Sequence, residues 1–329
     1  MVEKNKIGLC GSVVLFIILI IVTCYSLYSI YSTSEQMAKH YGTGISKYWA
    51  DSMNWLKNNT PECTVVATYW DPGYWIAALS ERKTIYDAGS QNSIRRTPVK
   101  DLNGLDCVAD RGGYIKEENG VKYCITSRMQ DMAGVLYTSN ETKAAKILET
   151  YLGNCSELYE LASSDLIGKS HWWSYFSNWD PEKGKGQAYS YITVRLQGQK
   201  KLLLENGTAL IYGPFILKII QKNDTQKIEP LLLQEGKYYK IKNLVLPQNN
   251  TFLKLNYSDA PVPGTLWVDP SFQAVIYMPP QIENSMFTRM FFYNGEGLKY
   301  FEPAYITPEV KLFKFKVEKF REDLREGRI

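Results

Sequence analysis

The sequence predicts an α+β fold: one N-terminal transmembrane helix, a mainly α-helical mixed core and an inserted β-rich sandwich or barrel. Three observations predict it. Residues 7–31 form an uncharged apolar stretch, and apolar residues recur at helical spacing through much of 32–186. Between 187 and 282, short alternating apolar runs are divided by Gly, Asn and Pro, as in antiparallel sheets. Residues 283–329 are predicted to return to the core and to end in a strand and a polar tail.

The apolar stretch at 7–31 is long enough to cross a bilayer with some tilt. A cleaved signal peptide is the main competitor, but the stretch exceeds a usual signal core and no small-x-small cleavage site follows it cleanly. Lys4 and Lys6 precede the stretch, and Glu35 is the first charged residue after it. The positive-inside rule then places residues 1–6 in the cytoplasm and the remainder outside. We therefore expect a single-pass protein of the cell membrane with an extracytoplasmic main domain.

Cysteine and histidine usage limits the chemistry that the chain can support. Cys107 and Cys124 flank a Gly-rich turn within a predicted small insertion at 98–126, and a disulfide between them suits an oxidising compartment. Cys63 and Cys155 either pair or stay free. The chain has no Cys-x-x-Cys pair and 2 histidines, which argues against a zinc site and a His-based triad. Lys and Arg are scattered despite the formal charge of +4, so no nucleic-acid partner is predicted.

Sequons for N-linked glycosylation are frequent beyond the apolar stretch. They begin at Asn58, Asn140, Asn154, Asn206, Asn223, Asn249 and Asn256. Their number fits an exported and glycosylated chain, although chance matches to so short a pattern are common.

The core is organised around the motif Tyr69-Trp70-Asp71-Pro72-Gly73, which follows the apolar run Thr64-Val65-Val66-Ala67. A strand should end here, and Pro-Gly should turn the chain so that Asp71 stands at its rim. Flanking aromatic rings would shield the carboxylate from water and strengthen a hydrogen bond that it accepts. The simpler alternative is a strand ending in a turn, with Tyr69 and Trp70 as core residues.

A second candidate segment contains Asp165 and Lys169, four residues apart and on one face of a predicted helix. By itself this spacing indicates an ordinary ion pair worth a few tenths of a kcal/mol. The pair Trp172-Trp173 that follows is predicted to belong to the core. Two other helices are predicted: one from Gly44 or Ser46 to Lys57, and a clearer one from Asn140 to Leu152 that Asn140 caps.

The motif and its surroundings resemble the catalytic subunit of oligosaccharyltransferase, most closely the single-subunit archaeal enzymes of the AglB type. The resemblance runs through Trp55–Glu62, Val65-Val66 and Tyr69–Tyr74. That family has Trp-Trp-Asp-Tyr-Gly at this point, so the second Trp, the Asp and the Gly are kept here. A second block, 285–301, resembles the C-terminal domain of the family. Two blocks in the right order are far more specific than one pentapeptide, and they suggest a last membrane helix followed by that domain.

The resemblance implies an enzyme that moves an oligosaccharide from a dolichyl phosphate carrier to the Asn of an Asn-x-Ser/Thr sequon. Asp71 would then accept a hydrogen bond from the hydroxyl of the sequon. The segment with Asp165 and Lys169 resembles a second recognition motif of the family, whose usual spacing is Asp-x-x-Lys and not the Asp-x-x-x-Lys found here. The predicted sequon-pocket residues are Tyr69, Trp70, Asp71, Gly73, Asp165 and Lys169.

Catalysis is expected to need parts that this chain does not supply. In the family, acidic residues on loops between many membrane helices hold a divalent cation, Mn or Mg. We expect neither metal ligands nor catalytic residues in this chain, and we expect a fragment, a product of a split gene or a solitary relative. The implied partners are an acceptor polypeptide, a lipid-linked oligosaccharide and a multi-span membrane protein. Two alternatives stay open: a membrane-anchored surface protein that binds glycans through the β-rich region, and a non-catalytic subunit of a glycosylation complex.

Overall fold

The computed structural model describes residues 2–41, 44–90, 93–180, 183–196, 201–222, 225–248 and 251–329, with the backbone alone for 2–13, 38, 40, 41, 222 and 225. The chain forms two compact units, residues 1–50 and 51–329. The first unit consists largely of one helix, α1 (Val2–Tyr41). Its segment Val14–Met37 is, among the described residues, the one helical stretch long and apolar enough to cross a membrane. This segment overlaps the predicted span and continues six residues beyond Tyr31.

Helices and strands are mixed in sequence as far as Ser177, strands then follow one another from Ile192 to Met278, and further helices and strands come last, between Met286 and Arg325. The further helices are α2 (Lys47–Asn59), α3 (Gly73–Trp75), α4 (Arg128–Tyr137), α5 (Glu141–Leu152), α6 (Asp165–Gly168), α7 (Ser170–Ser177), α8 (Met286–Phe291) and α9 (Val317–Arg325), with a π-helical turn at Ile76–Ser80 and a 3-10 turn at Val99–Asp101. The strands are β1 (Thr64–Ala67), β2 (Lys83–Thr84), β3 (Ile94–Pro98), β4 (Tyr114–Glu118), β5 (Val121–Ser127), β6 (Glu157–Ser163), β7 (Ile192–Arg195), β8 (Lys201–Leu204), β9 (Gly207–Tyr212), β10 (Phe215–Lys222), β11 (Thr225–Gln234), β12 (Lys237–Gln248), β13 (Thr251–Asn256), β14 (Val262–Val268), β15 (Ala274–Met278), β16 (Phe301–Ile306) and β17 (Val310–Phe315).

The central sheet of the core has the strand order β16-β17-β6-β1-β2. Strands β2, β1 and β6 are parallel, and β17 joins β6 antiparallel. All four residues of β1 are buried, which agrees with its uninterrupted apolar sequence. Because β1 and β6 are parallel neighbours, the segments that leave their carboxyl ends begin at the same edge of the sheet.

The β-rich region forms a strongly curved sheet. Its strand order is β7-β15-β14-β12-β11-β10-β9-β8, and β13 pairs with β12. Strands β10 and β15 are separated by three strands in this order, yet Phe215 and Tyr277 stack with ring centroids 5.7 Å apart. The Tyr212 hydroxyl likewise donates to the Phe272 carbonyl oxygen at 2.9 Å. These contacts require the sheet to curl around its own apolar interior, which confirms the barrel-like α+β architecture predicted from the sequence.

Two disulfides connect elements of the second unit. Cys63–Cys155 links the segments that lead into β1 and β6, so the alternative in which these cysteines pair is correct. Cys107–Cys124 ties a loop to β5 of a separate three-stranded sheet, β3-β5-β4, whose strands β4 and β5 lie in the predicted insertion at 98–126 except for the last residue of β5. The predicted limits of the β-rich region, 187 and 282, stay a prediction.

The C-terminal tail differs from the prediction. The last strand ends at Phe315, and the polar residues after it form helix α9. Val317 and Phe320 are three residues apart and buried, which is the spacing of one helical face. Asp323 is also buried and accepts a hydrogen bond from the Tyr300 hydroxyl at 2.8 Å. The many charged residues on the outer face concealed this amphipathic pattern.

Candidate functional site

The candidate site lies where the two parallel strands β1 and β6 end. Asp71 lies four residues after the end of β1. Asp165 and Lys169 lie two and six residues after the end of β6. In the register of the two strands, Ala67 faces Glu160. Both segments therefore leave the same edge of the sheet, and residues almost a hundred positions apart in the sequence meet there.

The turn after β1 is fixed by hydrogen bonds and by one glycine. The Thr68 hydroxyl donates to the Leu161 carbonyl oxygen of β6 at 2.9 Å, and the Gly73 amide donates to the Trp70 carbonyl oxygen at 3.1 Å. A Cβ at Gly73 would lie 2.5 Å from the Tyr86 carbonyl oxygen. Glycine is needed here because the backbone of the next loop passes against the turn. Gly73 therefore shapes the turn that presents Asp71 and does not itself line the cleft.

The three charged residues form one cluster around the ammonium group of Lys169. Its Nζ lies 2.8 Å from Asp71 Oδ1 and 2.7 Å from Asp165 Oδ2. Lys169 is the junction between α6 and α7 and not part of one continuous helix. Partial burial lowers the pKa of Lys169, but the hydrogen bonds and charges of Asp165 and Asp71 raise it more strongly, so the net pKa lies above 10.5. The lysine is therefore charged at neutral pH.

Each carboxylate of the cluster retains one oxygen without a partner. Asp71 Oδ2 and Asp165 Oδ1 are shielded from solvent and accept no hydrogen bond from the described residues. An unmatched acceptor of this kind costs about 1–3 kcal/mol, and more when it is charged. A ligand that donates to Asp71 Oδ2 would remove that cost.

A cleft of about 350 Å³ opens beside this cluster. Its lining residues are Tyr69, Trp70, Asp71, Met129, Lys169, Trp172 and Phe176. Trp172 and Phe176 lie one turn apart on α7 and stack with ring centroids 6.3 Å apart. The cleft therefore combines one carboxylate and one ammonium group with aromatic walls, which suits a small hydroxyl-bearing group with an apolar neighbour.

Tyr69 belongs more to the core than to the cleft surface. Its side chain is buried, and its ring contacts Tyr86 edge to face at 6.4 Å. Burial, and then the charge of Asp71, raise the pKa of the Tyr69 phenol, which stays protonated. Trp70 is half-buried and forms the more accessible wall.

Sequence reasoning misplaced one residue of the cleft lining and did not find two others. Trp173 is fully buried, as predicted, but Trp172 is 54% exposed and lines the cleft. The prediction that both belong to the core is therefore wrong for Trp172, because adjacent positions on a helix point in different directions. Met129 and Phe176 were not singled out. The signal for Phe176 was its four-residue spacing from Trp172, whereas Met129 comes from a different helix.

The residues at the site do not fit a divalent cation. Among the described residues, no group of three or more His, Cys, Asp and Glu side chains is placed to hold a metal. Asp71 and Asp165 could each supply oxygen ligands, but the ammonium group of Lys169 already occupies the position between them. We therefore derive no chemical step from a metal at this site.

Comparisons with curated proteins find sequences similar to this chain, although no family model matches it. The chain is 21% identical over 313 residues to a dolichyl-phosphooligosaccharide-protein glycotransferase of Methanococcus voltae, covering 76% of this chain and 34% of that protein. It is 31% identical over 86 residues to glycotransferase 1 of the same description from Pyrococcus furiosus, covering 26% of this chain and 8% of that protein. The sequence of this chain is therefore similar to those of archaeal dolichyl-phosphooligosaccharide-protein glycotransferases. This similarity confirms the resemblance seen in the sequence.

The glycotransferase relatives are much longer than this chain, which spans about a third of the length of the Methanococcus voltae protein. Among solved structures, the C-terminal domain of C. jejuni PglB matches with a TM-score of 0.48 and 15% identity, covering 81% of this chain and 99% of that one. The C-terminal globular domain of the Pyrococcus abyssi oligosaccharyltransferase matches with a TM-score of 0.45 and 14% identity, covering 81% and 50%.

Proposed function

We propose that the chain recognises the Asn-x-Ser/Thr acceptor for a dolichyl-phosphooligosaccharide–protein glycotransferase in protein N-glycosylation. The observation that carries the proposal is the unpartnered Asp71 Oδ2 at the wall of the cleft, held beside Lys169 and Trp70. The sequon hydroxyl would donate to this oxygen after a small movement of the side chain. The similarity to the glycotransferases supports the same assignment.

The expected discrimination follows from the chemistry of this oxygen. A hydrogen bond to a charged acceptor contributes about 1.5–3 kcal/mol, which corresponds to roughly a 10- to 150-fold difference in affinity. Valine has the shape of threonine without its hydroxyl, so it would leave Asp71 Oδ2 unpartnered. We therefore expect Asn-x-Thr peptides to bind more tightly than Asn-x-Val peptides by that factor.

Lys169 orients Asp71 and completes the wall of the pocket in this proposal. Its ammonium group binds Asp71 Oδ1, which leaves Oδ2 as the acceptor for a ligand. The methylene groups of its stem and the ring of Trp70 offer apolar surface for the methyl group of threonine. Asp165 holds Lys169 from the other side and thus acts on Asp71 indirectly.

The transfer reaction itself is assigned to a larger assembly. We propose that a multi-span membrane partner, with a divalent cation and a lipid-linked oligosaccharide, supplies the reaction centre. In this arrangement helix α1 is a single-pass anchor with the N-terminus in the cytoplasm. The second unit then lies on the outer side, where acceptor polypeptides emerge.

A transfer assay in reconstituted membranes tests the proposal. A fluorescent Asn-x-Thr peptide and a lipid-linked oligosaccharide are incubated with the chain alone, and then with the chain and its native membrane fraction. We expect transfer only with the membrane fraction, and its loss on Asp71→Ala. Transfer by the chain alone would contradict the proposal that a membrane partner supplies the reaction centre. An unchanged rate with folded Asp71→Ala protein would contradict recognition by Asp71.

The glycan-binding alternative is favoured by a second cleft of about 410 Å³, where the β-rich region meets α8. Glu283 accepts hydrogen bonds from Asn243 and Thr265 there, at 3.2 and 2.5 Å, and Arg289 lies alongside. Such networks of amides and carboxylates suit saccharide hydroxyl groups. Glycan-array binding that is lost on Asn243→Ala and kept on Asp71→Ala would favour this function over sequon recognition.

A further inference from the structure

The sequons of this chain are not equivalent as acceptors. Transfer to Asn needs a free side-chain amide on an accessible, locally flexible segment, so sequons fall on surface loops. Five of the seven sequon asparagines lie among the described residues: Asn58, Asn140, Asn154, Asn206 and Asn256. Asn223 and Asn249 lie outside them.

In three of these five sequons a recognition group is held in a hydrogen bond, and in a fourth, that of Asn154, the middle residue is fixed by a disulfide while Asn154 itself is exposed. Asn58 lies within helix α2. Thr60, the third residue of its sequon, is buried, and its hydroxyl donates to the Leu56 carbonyl oxygen at 2.6 Å. The side chain of Asn140 caps α5 by accepting from the Lys143 amide.

The other two constrained sequons are held by a disulfide and by a side-chain hydrogen bond. The middle residue of the Asn154 sequon is Cys155, which is buried and disulfide-bonded to Cys63. The Asn256 amide donates to Asn243 Oδ1 at 2.7 Å.

Asn206 is placed differently. It occupies the two-residue loop between β8 and β9, whose flanking pair is Leu204 and Gly207. Asn206 is exposed, and neither its side chain nor that of Thr208 hydrogen-bonds to the described residues. A Cβ at Gly207 would lie 2.0 Å from the Ile219 carbonyl oxygen, so the middle residue of this sequon has to be glycine. This hairpin tip therefore presents the Asn206 amide to solvent, and the half-buried Thr208 follows it at the start of β9 with no hydrogen bond from its side chain to the described residues.

The strand that leads to this tip has an unusual surface. Strand β8 is the last in its sheet, and its three leucines are exposed: Leu202 by 54%, Leu203 by 82% and Leu204 by 37%. An exposed apolar edge strand invites pairing with a second chain, and natural proteins cover or interrupt such edges. A bulky, hydrated group on Asn206 would lie directly beside these leucines.

We propose that Asn206 is an N-glycosylation site of this chain and that its glycan shields the leucines of β8. In the step that forms it, Asn206 Nδ2 bonds to the anomeric carbon of a phosphate-linked oligosaccharide. The anomeric carbon–oxygen bond breaks, the phosphate leaves with the bonding electron pair, and one amide proton passes to solvent. The inference rests on one part of the proposed function, the placement of the second unit outside the membrane, and it does not depend on the cleft at Asp71.

Glycopeptide mass spectrometry of the full-length chain, purified from its native membranes, tests the site. The tryptic peptide 202–218 contains one sequon, that of Asn206. We expect it to carry a glycan in the natural protein and in the matched variant Thr208→Ser, which retains the sequon. Complete loss of that mass is expected in Asn206→Gln and in Thr208→Ala.

An unmodified 202–218 peptide in the natural protein would overturn the inference. If another sequon peptide of the same chain then carries a glycan, the outward placement survives and the choice of Asn206 fails. If every sequon peptide is bare, the inference and the outward placement fail together.

Self-association tests the shielding. We expect Asn206→Gln to form dimers or larger species in detergent solution, and we expect Leu203→Lys in the same variant to restore the monomer. A monomeric Asn206→Gln protein would overturn the shielding role.

Discussion

The second unit contains two clusters built around a cation and carboxylates, and they differ in how completely their groups are paired. In the first, Arg111 and Asp131 have fully buried side chains. Arg111 donates to both oxygens of Asp131, and the hydroxyl groups of Thr126 and Tyr151 also donate to this carboxylate. Burial by itself lowers the pKa of Arg111, but the Asp131 carboxylate beside it raises the pKa above its usual value, so Arg111 is charged. Both carboxylate oxygens are satisfied within the fold.

The cluster of Lys169 with Asp71 and Asp165 is open instead. Its side chains are 23–36% exposed, and each carboxylate retains one unpartnered oxygen. The comparison indicates two different roles. A charge cluster whose carboxylate oxygens are all hydrogen-bonded within the protein stabilises the fold, whereas one that leaves an acceptor oxygen unpaired at a cleft can bind a ligand there. The predictions that follow test this distinction.

The largest expected effect comes from the closed cluster. Asp131→Asn leaves the Arg111 guanidinium buried without its counter-charge, and we expect the free energy of unfolding to fall by about 3–5 kcal/mol. Urea denaturation of the detergent-solubilised chain measures the loss, with Tyr151→Phe as a control that removes one hydrogen bond to Asp131. The two variants losing equal stability would show that the ion pair adds little.

In the open cluster, substitution should lower ligand affinity strongly and change the free energy of unfolding little. Asp71→Ala is expected to lower the affinity for an Asn-x-Thr peptide by roughly 10- to 150-fold, because the bond to its hydroxyl contributes about 1.5–3 kcal/mol. The free energy of unfolding should change by less than about 1 kcal/mol, since surface ion pairs contribute little. Fluorescence anisotropy and urea denaturation measure the two quantities.

Asp165→Asn is the matched control for that variant. It removes the other carboxylate from Lys169 but leaves Asp71 Oδ2 in place, so its loss of peptide affinity should be the smaller one. Equal losses in the two variants would point to Lys169, and not to Asp71 Oδ2, as the binding group.

A third carboxylate shows what happens when a buried acid has no cation. Glu160 of β6 is buried and accepts no hydrogen bond from the described residues, and burial raises its pKa well above 4.5. The folded state therefore favours the protonated acid. Stability is complete below pH 4.5 and falls as the pH rises towards the folded pKa, by up to about 1.4 kcal/mol per pH unit. Glu160→Gln should remove this slope above pH 4.5 in urea denaturation, and a retained slope would show that another group titrates.

The smallest effect concerns an aromatic wall of the cleft. Trp172→Ala should change the free energy of unfolding by at most about 0.5 kcal/mol, because the side chain is 54% exposed. Peptide affinity should fall about two- to tenfold, as expected when an aromatic contact is lost. The adjacent Trp173→Ala is the control: this side chain is fully buried, and its removal should cost about 3–5 kcal/mol. An unchanged affinity for Trp172→Ala would remove it from the cleft wall.

Much of the fold could be predicted because periodicity and turn chemistry are local properties. The β-rich region was visible from its alternating runs, and α5 was visible from its cap at Asn140 and its apolar face. Helix α9 was missed because charged residues dominate its outer face and only Val317 and Phe320 mark the buried side. Part of the cleft could be predicted. The position of Asp71 at the end of a strand can be read from the local sequence, whereas the adjacent residues Trp172 and Trp173 differ only in the direction in which each side chain points from the helix.

The sequence by itself determined the motif at the end of β1, the apolar helix, the sequons and the similarity to the glycotransferases. These features depend on neighbouring residues or on the order of residues, and both can be read directly from the amino-acid sequence. The tertiary structure alone decided that Cys63 pairs with Cys155, that Asn206 lies at a hairpin tip beside the leucines of β8, and that Lys169 bridges Asp71 and Asp165. Each of these depends on distances between segments far apart in the chain. Parallel pairing of β1 with β6 sets the distances within the charged cluster, and no local pattern encodes that pairing.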